Sequence, residues 1–395
     1  MNFRLWFTLL TWCFLLGVLF DLPWLIIFSA AIGSVIGLAE YWRRHALDNL
    51  VYRRHWKYRR GFPGEKTPFS IEVVNEKWLP VSWMQITDPW PDGVEPEEQE
   101  YMAPSHNPDE KMLTNVYSLR WFERVVRQYN LVFRQRGLYS IGPVSLRSGD
   151  LFGFYETSQQ QTANEYLTVF PEILSLAQLN LPTEDPFGYQ QTIKRLFEDP
   201  NHPIGVRPYH PEDEIRRIHW NATARTGSLQ VKVYQPVSSH VFTVCLDVTT
   251  SIRPWLGTAP ALLEQLVKVC ATLVYHGIEQ NFAVGLISNG YLAHSDHPFN
   301  VAPGRSTEHL ARLLQTLAAV TPLTSSNFET FLTRSMGKIP YGASLVVVTG
   351  VMTDLLKETL VRLRRYRPHI TLISLDNSDL SDIPGIQTIH ITFQG

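Results

Sequence analysis

A chain of 395 residues with a formal net charge of -2 has length enough for two or three domains with real cores, and it carries no general pull toward nucleic acid. Its three cysteines, Cys13, Cys245 and Cys270, have neither zinc-ligand spacing nor the number that a disulfide framework needs. Inert thiols in a reducing compartment are the expectation.

Two apolar runs open the chain, Phe3 to Phe20 and Leu22 to Ala39, joined at Asp21. Each is about long enough to cross the ~30 Å hydrocarbon layer as a helix, so residues 1–42 read as a transmembrane helical hairpin. A cleaved signal peptide with Met1 to Arg4 as its n-region is the rival, and the second span directly behind argues against it. Residues 43–60 form a basic juxtamembrane segment, in which Arg43, Arg44, Arg53, Arg54, Lys57, Arg59 and Arg60 face a lone Asp48. Positive residues beside a span stay in the cytoplasm. The expectation is a multi-pass protein of the cell membrane with the bulk of the chain cytoplasmic. The interleaved Trp42, Tyr52, Trp56 and Tyr58 fit contact with the lipid bilayer better than contact with nucleic acid.

From 61 to 181 the chain turns to short alternating runs broken by Pro, Gly, Asn and Asp. Phe69 to Val74, Val81 to Thr87, Val116 to Leu119, Val125 to Phe133 and Tyr166 to Phe170 predict strands, and together an antiparallel β-sandwich domain. Gly142, Gly149 and Gly153 stand where turns are expected; the strand-to-helix context of a phosphate cradle is missing.

Residues 182–240 begin as a polar, Pro-interrupted linker and then crowd fixed charges, aromatics and a histidine into Gly205 to Lys232. Pro208 and Pro211 restrict the approach, and Asp213 is placed to cap a short helix begun by Glu214, Ile215 and Ile218. In that helix Asp213 and Arg216 share a face, while Ile215, Ile218 and Trp220 supply an apolar side. Charges beside a core need partners: Arg207, Arg216, Arg217 and Arg225 offer planar forks for bidentate pairing and Glu212, Asp213 and Glu214 are the nearest carboxylates, so a clamp of such groups, Asp213 and Arg216 among them, is expected at a joint between two bodies. His219, next to these groups, is the candidate for acid–base chemistry. A lone histidine at a helix end is commonly structural, and no serine elbow, H-E-x-x-H, P-loop or cysteine pair accompanies it. No catalytic residue is assigned.

The pattern G-x-R-x-Y-x-x-x-D-x-x-R-x-I-H-W-x-x-x-A-R, carried by Gly205, Arg207, Tyr209, Asp213, Arg216, Ile218, His219, Trp220, Ala224 and Arg225, resembles the signature of domain of unknown function family 58 (DUF 58). One departure is Glu212, where the family usually places glycine. The stretches Pro63 to Glu76, Arg136 to Glu156 and Val169 to Glu172 also look like landmarks of that family.

Beyond it, in residues 241–395, the period alternates. Val241 to Asp247, Phe282 to Ile287, Leu345 to Thr349, Ile370 to Leu375 and Thr388 to Phe393 predict strands. Leu262 to Val274, Glu308 to Ala319, Phe328 to Met336 and Asp354 to Tyr366 predict helices, with Gly277 placed to end the first. Such alternation argues for an α/β, Rossmann-type domain with a mostly parallel sheet. At the end of its first strand the run D-x-T-x-S, Asp247, Thr249 and Ser251, is similar to the D-x-S-x-S of the metal-ion-dependent adhesion site in von Willebrand factor A-like domains. That resemblance implies Ser326 as a further hydroxyl and Mg2+ or Ca2+ as the cation, both hard ions suited to oxygen ligands. The site is degenerate, because Gly350 stands where an acidic residue is normal, so weak affinity is the expectation.

What the resemblance implies about function is a membrane-anchored protein–protein interaction or assembly factor. It would act with a MoxR-type AAA+ ATPase and a transglutaminase-like membrane protein. The alternative is a metal-assisted hydrolase using Asp247, Thr249, Ser251 and His219, which needs both segments at one cleft.

Overall fold

The two apolar runs, interrupted by only a few hydroxyls and charges, form helices. In this computed structural model, which describes residues 3–391 apart from 99, 101, 150–155, 163, 180–197, 211, 212, 214, 216, 217, 237–240, 252–258, 294, 296, 341, 342, 366–368 and 376–382, these are α1 (Phe3–Leu19) and α2 (Pro23–His45). Asp21 reverses the chain at φ +51°, and the Leu22 amide closes the turn on the Gly17 carbonyl at 2.9 Å. Outward apolar side chains such as Trp12, Leu19 and Ile27 stay two-thirds or more exposed. Pro23–Trp42 has the length and hydropathy to cross a bilayer, and the apolar part of α1, Thr8–Leu19, is shorter. Pro260–Glu279 passes the same test, but it is a core helix.

The chain divides into two compact units, Met1–Pro171 and Glu172–Gly395. In the first, α1 and α2 precede β1 (Leu50–Trp56), β2 (Arg60–Gly61), β3 (Lys66–Asn75), β4 (Val81–Pro91), β5 (Val94–Pro96), β6 (Met102–Pro104), β7 (Glu110–Leu119), β8 (Arg124–Phe133), β9 (Gly137–Ile141), β10 (Val144–Gly149), β11 (Glu156–Gln161) and β12 (Glu165–Val169). One antiparallel sheet orders these β1-β3-β8-β5, a second β11-β10-β4-β7-β6, and a small third β2-β12-β9. Inward residues of the two large sheets, among them Phe69, Ile71, Tyr129 and Leu131 against Met84, Ile86, Trp90 and Leu113, share one buried cluster. Burying one face of each sheet is what sets the two-residue alternation along β7 and β8.

The strand β1 corrects the reading of 43–60 as a basic segment at the membrane. Tyr52, Arg54 and Trp56 alternate inward while Arg53 and His55 face out, and Tyr52 pairs in register with Val73. Arg54 is therefore no headgroup contact. Its guanidinium is buried on Asp88, Nε to Oδ2 at 2.9 Å and Nη2 to Oδ1 at 2.7 Å, with Tyr52 Oη donating to the same carboxylate at 2.9 Å. Arg44 is likewise occupied, on Glu40 one turn earlier in α2 at 2.8 Å.

The second unit holds β13 (Glu198–Pro208), α3 (Trp220–Thr226) and β14 (Gln230–Pro236), then β15 (Val241–Leu246), α4 (Pro260–Glu279), β16 (Ala283–Leu292), β17 (Pro298–Gly304), α5 (Thr307–Ala318), β18 (Val320–Thr324), α6 (Phe328–Ser335), β19 (Ser344–Thr349), α7 (Asp354–Arg364), β20 (Ile370–Ser374) and β21 (Gln387–His390). β13 and β14 make an antiparallel ribbon, with Arg207 opposite Val231, so part of the expected linker is strand. The main sheet runs β17-β16-β15-β19-β20-β21; β15 pairs parallel with β16 and β19, and β20 with β19 and β21, whereas β17 is an antiparallel edge and β18 pairs antiparallel with β16.

Helices cover both faces of that sheet, which explains why β19 and β20 are buried at every position. On one face Cys245, Leu345 and Val347 pack with Leu332 of α6 and Leu360 of α7. On the other α4 lies so close that a Cβ at Gly277 would stand 2.3 Å from the Phe242 ring. Gly277 thus serves this close approach, not the end of the helix, which runs on to Glu279.

Candidate functional site

In an open α/β sheet the crevice for ligands lies beyond the carboxyl ends of the strands, where the strand order reverses. Here the chain leaves β15 for β16 and β17 and later returns to the opposite side of β15 as β19, so the reversal falls between β16 and β19. Asp247, the residue after β15, sits at that place and is 3% exposed. Its Oδ1 accepts the Thr249 amide at 2.9 Å and lies 3.3 Å from Asn289 Nδ2, and its Oδ2 is 2.9 Å from Thr349 Oγ1. Burial pushes the Asp247 carboxyl up to about 6, against the opposing pull of the Thr249, Thr349 and Asn289 hydrogen bonds.

Asn289 is the organiser that sequence reasoning missed. It is fully buried near the end of β16. Its Oδ1 accepts the Val248 amide at 3.0 Å, which fixes the amide orientation. The Nδ2 then stands 3.3 Å from Asp247 Oδ1, 3.4 Å from Thr249 Oγ1 and 3.3 Å from the Ser326 carbonyl. The signal was legible in principle, since Ser288-Asn289 puts polar side chains into an apolar strand beside Asp247.

The structure thus brings Asp247, Thr249 and Ser326 together around an amide, with Ser326 contributing its backbone oxygen. Ser251 ends the described stretch, before 252–258. These donors do not fit a divalent cation. The one carboxylate is spent on internal donors, and the –NH2 of Asn289 takes the position among the oxygens that a metal would need. At Gly350, where an acidic residue would complete the set, a Cβ would already stand 2.9 Å from Leu262 and 3.2 Å from Leu266 of α4. Among the described residues, no group of three or more His, Cys, Asp or Glu side chains could hold a metal.

The signature segment is a second construction. Arg207, on β13, reaches Asp213 with both terminal nitrogens, Nη1 to Oδ2 at 2.6 Å and Nη2 to Oδ1 at 2.5 Å. The His210 amide adds a third hydrogen bond at 2.9 Å. The Arg207 hydrogen bonds, then the His210 amide, hold the Asp213 carboxyl down to about 2. Asp213 is thus paired with Arg207, while Arg216 and most of the helix expected after Asp213 fall on 211, 212, 214, 216 and 217, outside the described residues; Ile215 lies in a 3-10 turn, its carbonyl accepting the Ile218 amide at 3.2 Å.

A further short helix, α3, begins at Trp220, after Ile218, which forms a β-bridge with Val231 and is buried there. His219 caps it, Nδ1 accepting the Ala222 amide at 3.1 Å while its own amide donates to the Gln230 carbonyl at 2.7 Å. Gly227 ends it at φ +70°. Gly205 lies within the ribbon opposite Val233, Tyr209 follows it with its amide on the Leu229 carbonyl, and Arg225 stands in the exposed last turn of α3. Trp220 is 65% exposed and Ile215 72% exposed, so the expected indole beside a core is instead at the surface. The ring of His219 is committed to the cap, and no described hydrogen bond joins it to Asp247. Replacing it with alanine should cost about 1 kcal/mol of α3 stability, with His219→Asn restoring most of it. Amide exchange at residues 222–226 would report the difference.

Residues 205–391 match the family described as "Protein of unknown function DUF58". "Uncharacterized protein YeaD" of Bacillus subtilis (strain 168) is 23% identical over 295 residues, 74% of this chain and 68% of that protein. Among solved structures, a CARDB domain from Pyrococcus furiosus, solved with di-metal ions, is 12% identical over 30% of this chain and 91% of its own, at a TM-score of 0.20. A non-cellulosomal cohesin from Archaeoglobus fulgidus is 9% identical over 31% of this chain and 91% of its own, at 0.21. Overlaps that low are no evidence of shared fold or function. The signature ribbon and the crevice at Asp247 thus both lie within a DUF58-family domain that the chain carries over residues 205–391.

Proposed function

We propose that this chain is a membrane-anchored interaction or assembly factor, held by α1 and α2, whose DUF58 domain docks a partner protein through the signature segment. The observation that carries the reading is the exposure of Ile215 and Trp220 on a segment otherwise fixed by the Arg207–Asp213 pair and the His219 cap. Large exposed apolar side chains are what a docking surface needs, and tryptophan is enriched among the anchors of such surfaces. The partner class is a MoxR-type AAA+ ATPase, with a transglutaminase-like membrane protein in the same assembly, as the family resemblance implies. The strand order and the antiparallel edge β17 support the von Willebrand factor A-like reading of the sheet. The Arg and Lys residues of 43–60 that face out, such as Arg53 and Arg59, support a cytoplasmic placement after two crossings.

The hydrolase alternative asks Asp247 and His219 for free lone pairs that both spend on internal amides. In the favoured reading Asp247, Thr249, Ser326 and Asn289 lock the strand ends, and the amide takes the place of Mg2+ or Ca2+.

The test places photoreactive benzoylphenylalanine at position 220 of the full-length protein in its native membrane. An adduct with an AAA+ ATPase that disappears in the Ile215→Glu variant is expected. Trp220→Ala should weaken that partner by about 2 kcal/mol, roughly thirtyfold. An adduct pattern indifferent to Ile215→Glu would overturn the docking surface.

A further inference from the structure

At the end of the first unit where α2 exits, two loops carry an aromatic tip. Trp78 is 79% exposed, Trp121 61% and Phe122 54%. The rings of Trp78 and Phe122 meet edge to face at 5.2 Å. Such a cluster standing in water is unfavourable, yet the loops that hold it are built firmly. Asn75, itself fully buried, donates to the Leu79 carbonyl at 3.0 Å and to the Arg120 carbonyl at 2.8 Å, tying one loop to the other. Glu123 caps the second turn on the Arg120 amide at 2.6 Å. Phe122 is held at φ +51°, a conformation costly for a bulky residue, with its amide toward the Lys77 carbonyl.

The same tip is bonded to the helix that leaves the apolar span. Lys77 Nζ donates to the carbonyls of Ala46 at 2.5 Å and Asp48 at 2.6 Å, just past the end of α2, and the Glu76 amide donates to the Asn49 carbonyl at 3.0 Å. The apolar span ends at Trp42. Four residues of helix rise about 6 Å, and each headgroup layer is roughly 5–8 Å thick. Ala46, and with it Lys77 and the neighbouring Trp78, is thus set at headgroup depth, beyond the exposed Tyr41 at the boundary of the span. Indole rings, with an apolar body and a polar N–H, favour this layer, and the Phe122 ring packed edge to face on Trp78 adds apolar area beside them.

We propose that Trp78, Trp121 and Phe122 form an interfacial foot that lies in the headgroup layer of the bilayer crossed by α1 and α2 and sets the tilt and height of the first unit upon it. This rests on the membrane reading of α1 and α2. Continuity with the exit of α2 selects the bilayer over a protein as the occupant.

The test uses the full chain in phosphatidylcholine nanodiscs, in a Cys13→Ala background, since Cys245 and Cys270 are buried. An environment-sensitive nitrobenzoxadiazole dye is attached in turn to Trp121→Cys, Trp12→Cys and His106→Cys. Position 12 lies mid-helix in α1. Position 106 lies beyond the far end of β4 and β7, where Pro91 pairs Glu110, ten residues from the Val81–Leu119 end and about 33 Å along the strand. The expected result is a blue-shifted emission at 12, a blue-shifted emission at 121 quenched by headgroup nitroxides and weakly by chain-end ones, and water-like emission at 106. Blue shift at 12 with water-like emission at 121 overturns the foot and leaves the membrane reading standing. Water-like emission at 12 overturns that reading, and the foot with it.

Discussion

Replacing Asp88 with alanine should destabilise the first unit by about 3–5 kcal/mol, the usual cost of stranding one member of a buried ion pair. The Arg54 side chain is 0% exposed and that of Asp88 1%, so the guanidinium left behind cannot turn to water and keeps the longer contact to Glu165 at 3.7 Å. Burial works against its charge, and Asp88 more than offsets this, so the Arg54 pKa lies above its ordinary value. Tyr52 would also lose the acceptor for its hydroxyl, whose pKa burial, and next Asp88, raise well above the ordinary phenol range. Asp88→Asn keeps the shape and one acceptor and should cost less than Asp88→Ala. Substituting both partners, Arg54→Met with Asp88→Leu, should recover most of the loss, because two buried charges then leave the desolvation ledger together. The measurement is native-state amide exchange of β3, β4 and β8 in the full-length protein in detergent, which reads the opening of this unit without requiring both units to unfold as one. Unchanged protection in Asp88→Ala would mean that the pair is wetter than its geometry indicates.

That pair also marks where the sequence stops being readable. Arg54 stands in a run whose positive charges, counted one by one, describe a membrane-flanking segment. What the count cannot see is the two-residue alternation of Tyr52, Arg54 and Trp56, whose inward face becomes visible only once Asp88, more than thirty residues away, is known to lie opposite. The α/β half was easier. Helices such as α5 and α7 announce themselves by apolar period and by Ser306 and Thr353 as caps, both local features. The strands β17 and β18 escaped because they lie at edges or pair off the main path, where burial no longer forces an apolar run. In the signature segment Arg207 was one of four arginines that could have met Asp213, and only its place on β13, six residues back, made it the described partner. The bridge of Ile218 was equally invisible, because its partner Val231 lies on the next strand. Asp247 could be placed from its position after an apolar strand, but its partners Asn289 and Thr349 belong to strands 42 and 102 residues on.

Those partners set the second large expectation, that Asp247→Asn leaves the domain folded and removes a pH dependence. The folded pKa of Asp247, about 6, is above the ordinary 3.8. A carboxyl raised on folding binds its proton more tightly in the native state, so its contribution is complete below about pH 4 and is lost as pH rises toward and through 6. A shift of about two units corresponds to roughly 3 kcal/mol between those limits. The protonated acid has an obvious place for its hydrogen, from Oδ2 to Thr349 Oγ1, which in turn lies 2.9 Å from the Val351 carbonyl. An asparagine at 247 reproduces that pattern with Nδ2 in place of the protonated Oδ2, and its Oδ1 still accepts the Thr249 amide. The variant should therefore be about as stable as the parent near pH 4 and more stable at pH 8, its unfolding midpoint flat between them where the parent's falls. Asp247→Ala, which leaves the Thr249 amide and Asn289 Nδ2 short of an acceptor, should be less stable than both at pH 4. A strand end built to hold Mg2+ or Ca2+ would behave the opposite way: added cation would raise the parent's midpoint at pH 8, and Asp247→Asn would abolish the gain. Denaturant titrations at pH 4, 6 and 8, with and without 10-fold excess magnesium, separate a carboxyl held for the lock it makes with Asn289 from one held for a metal.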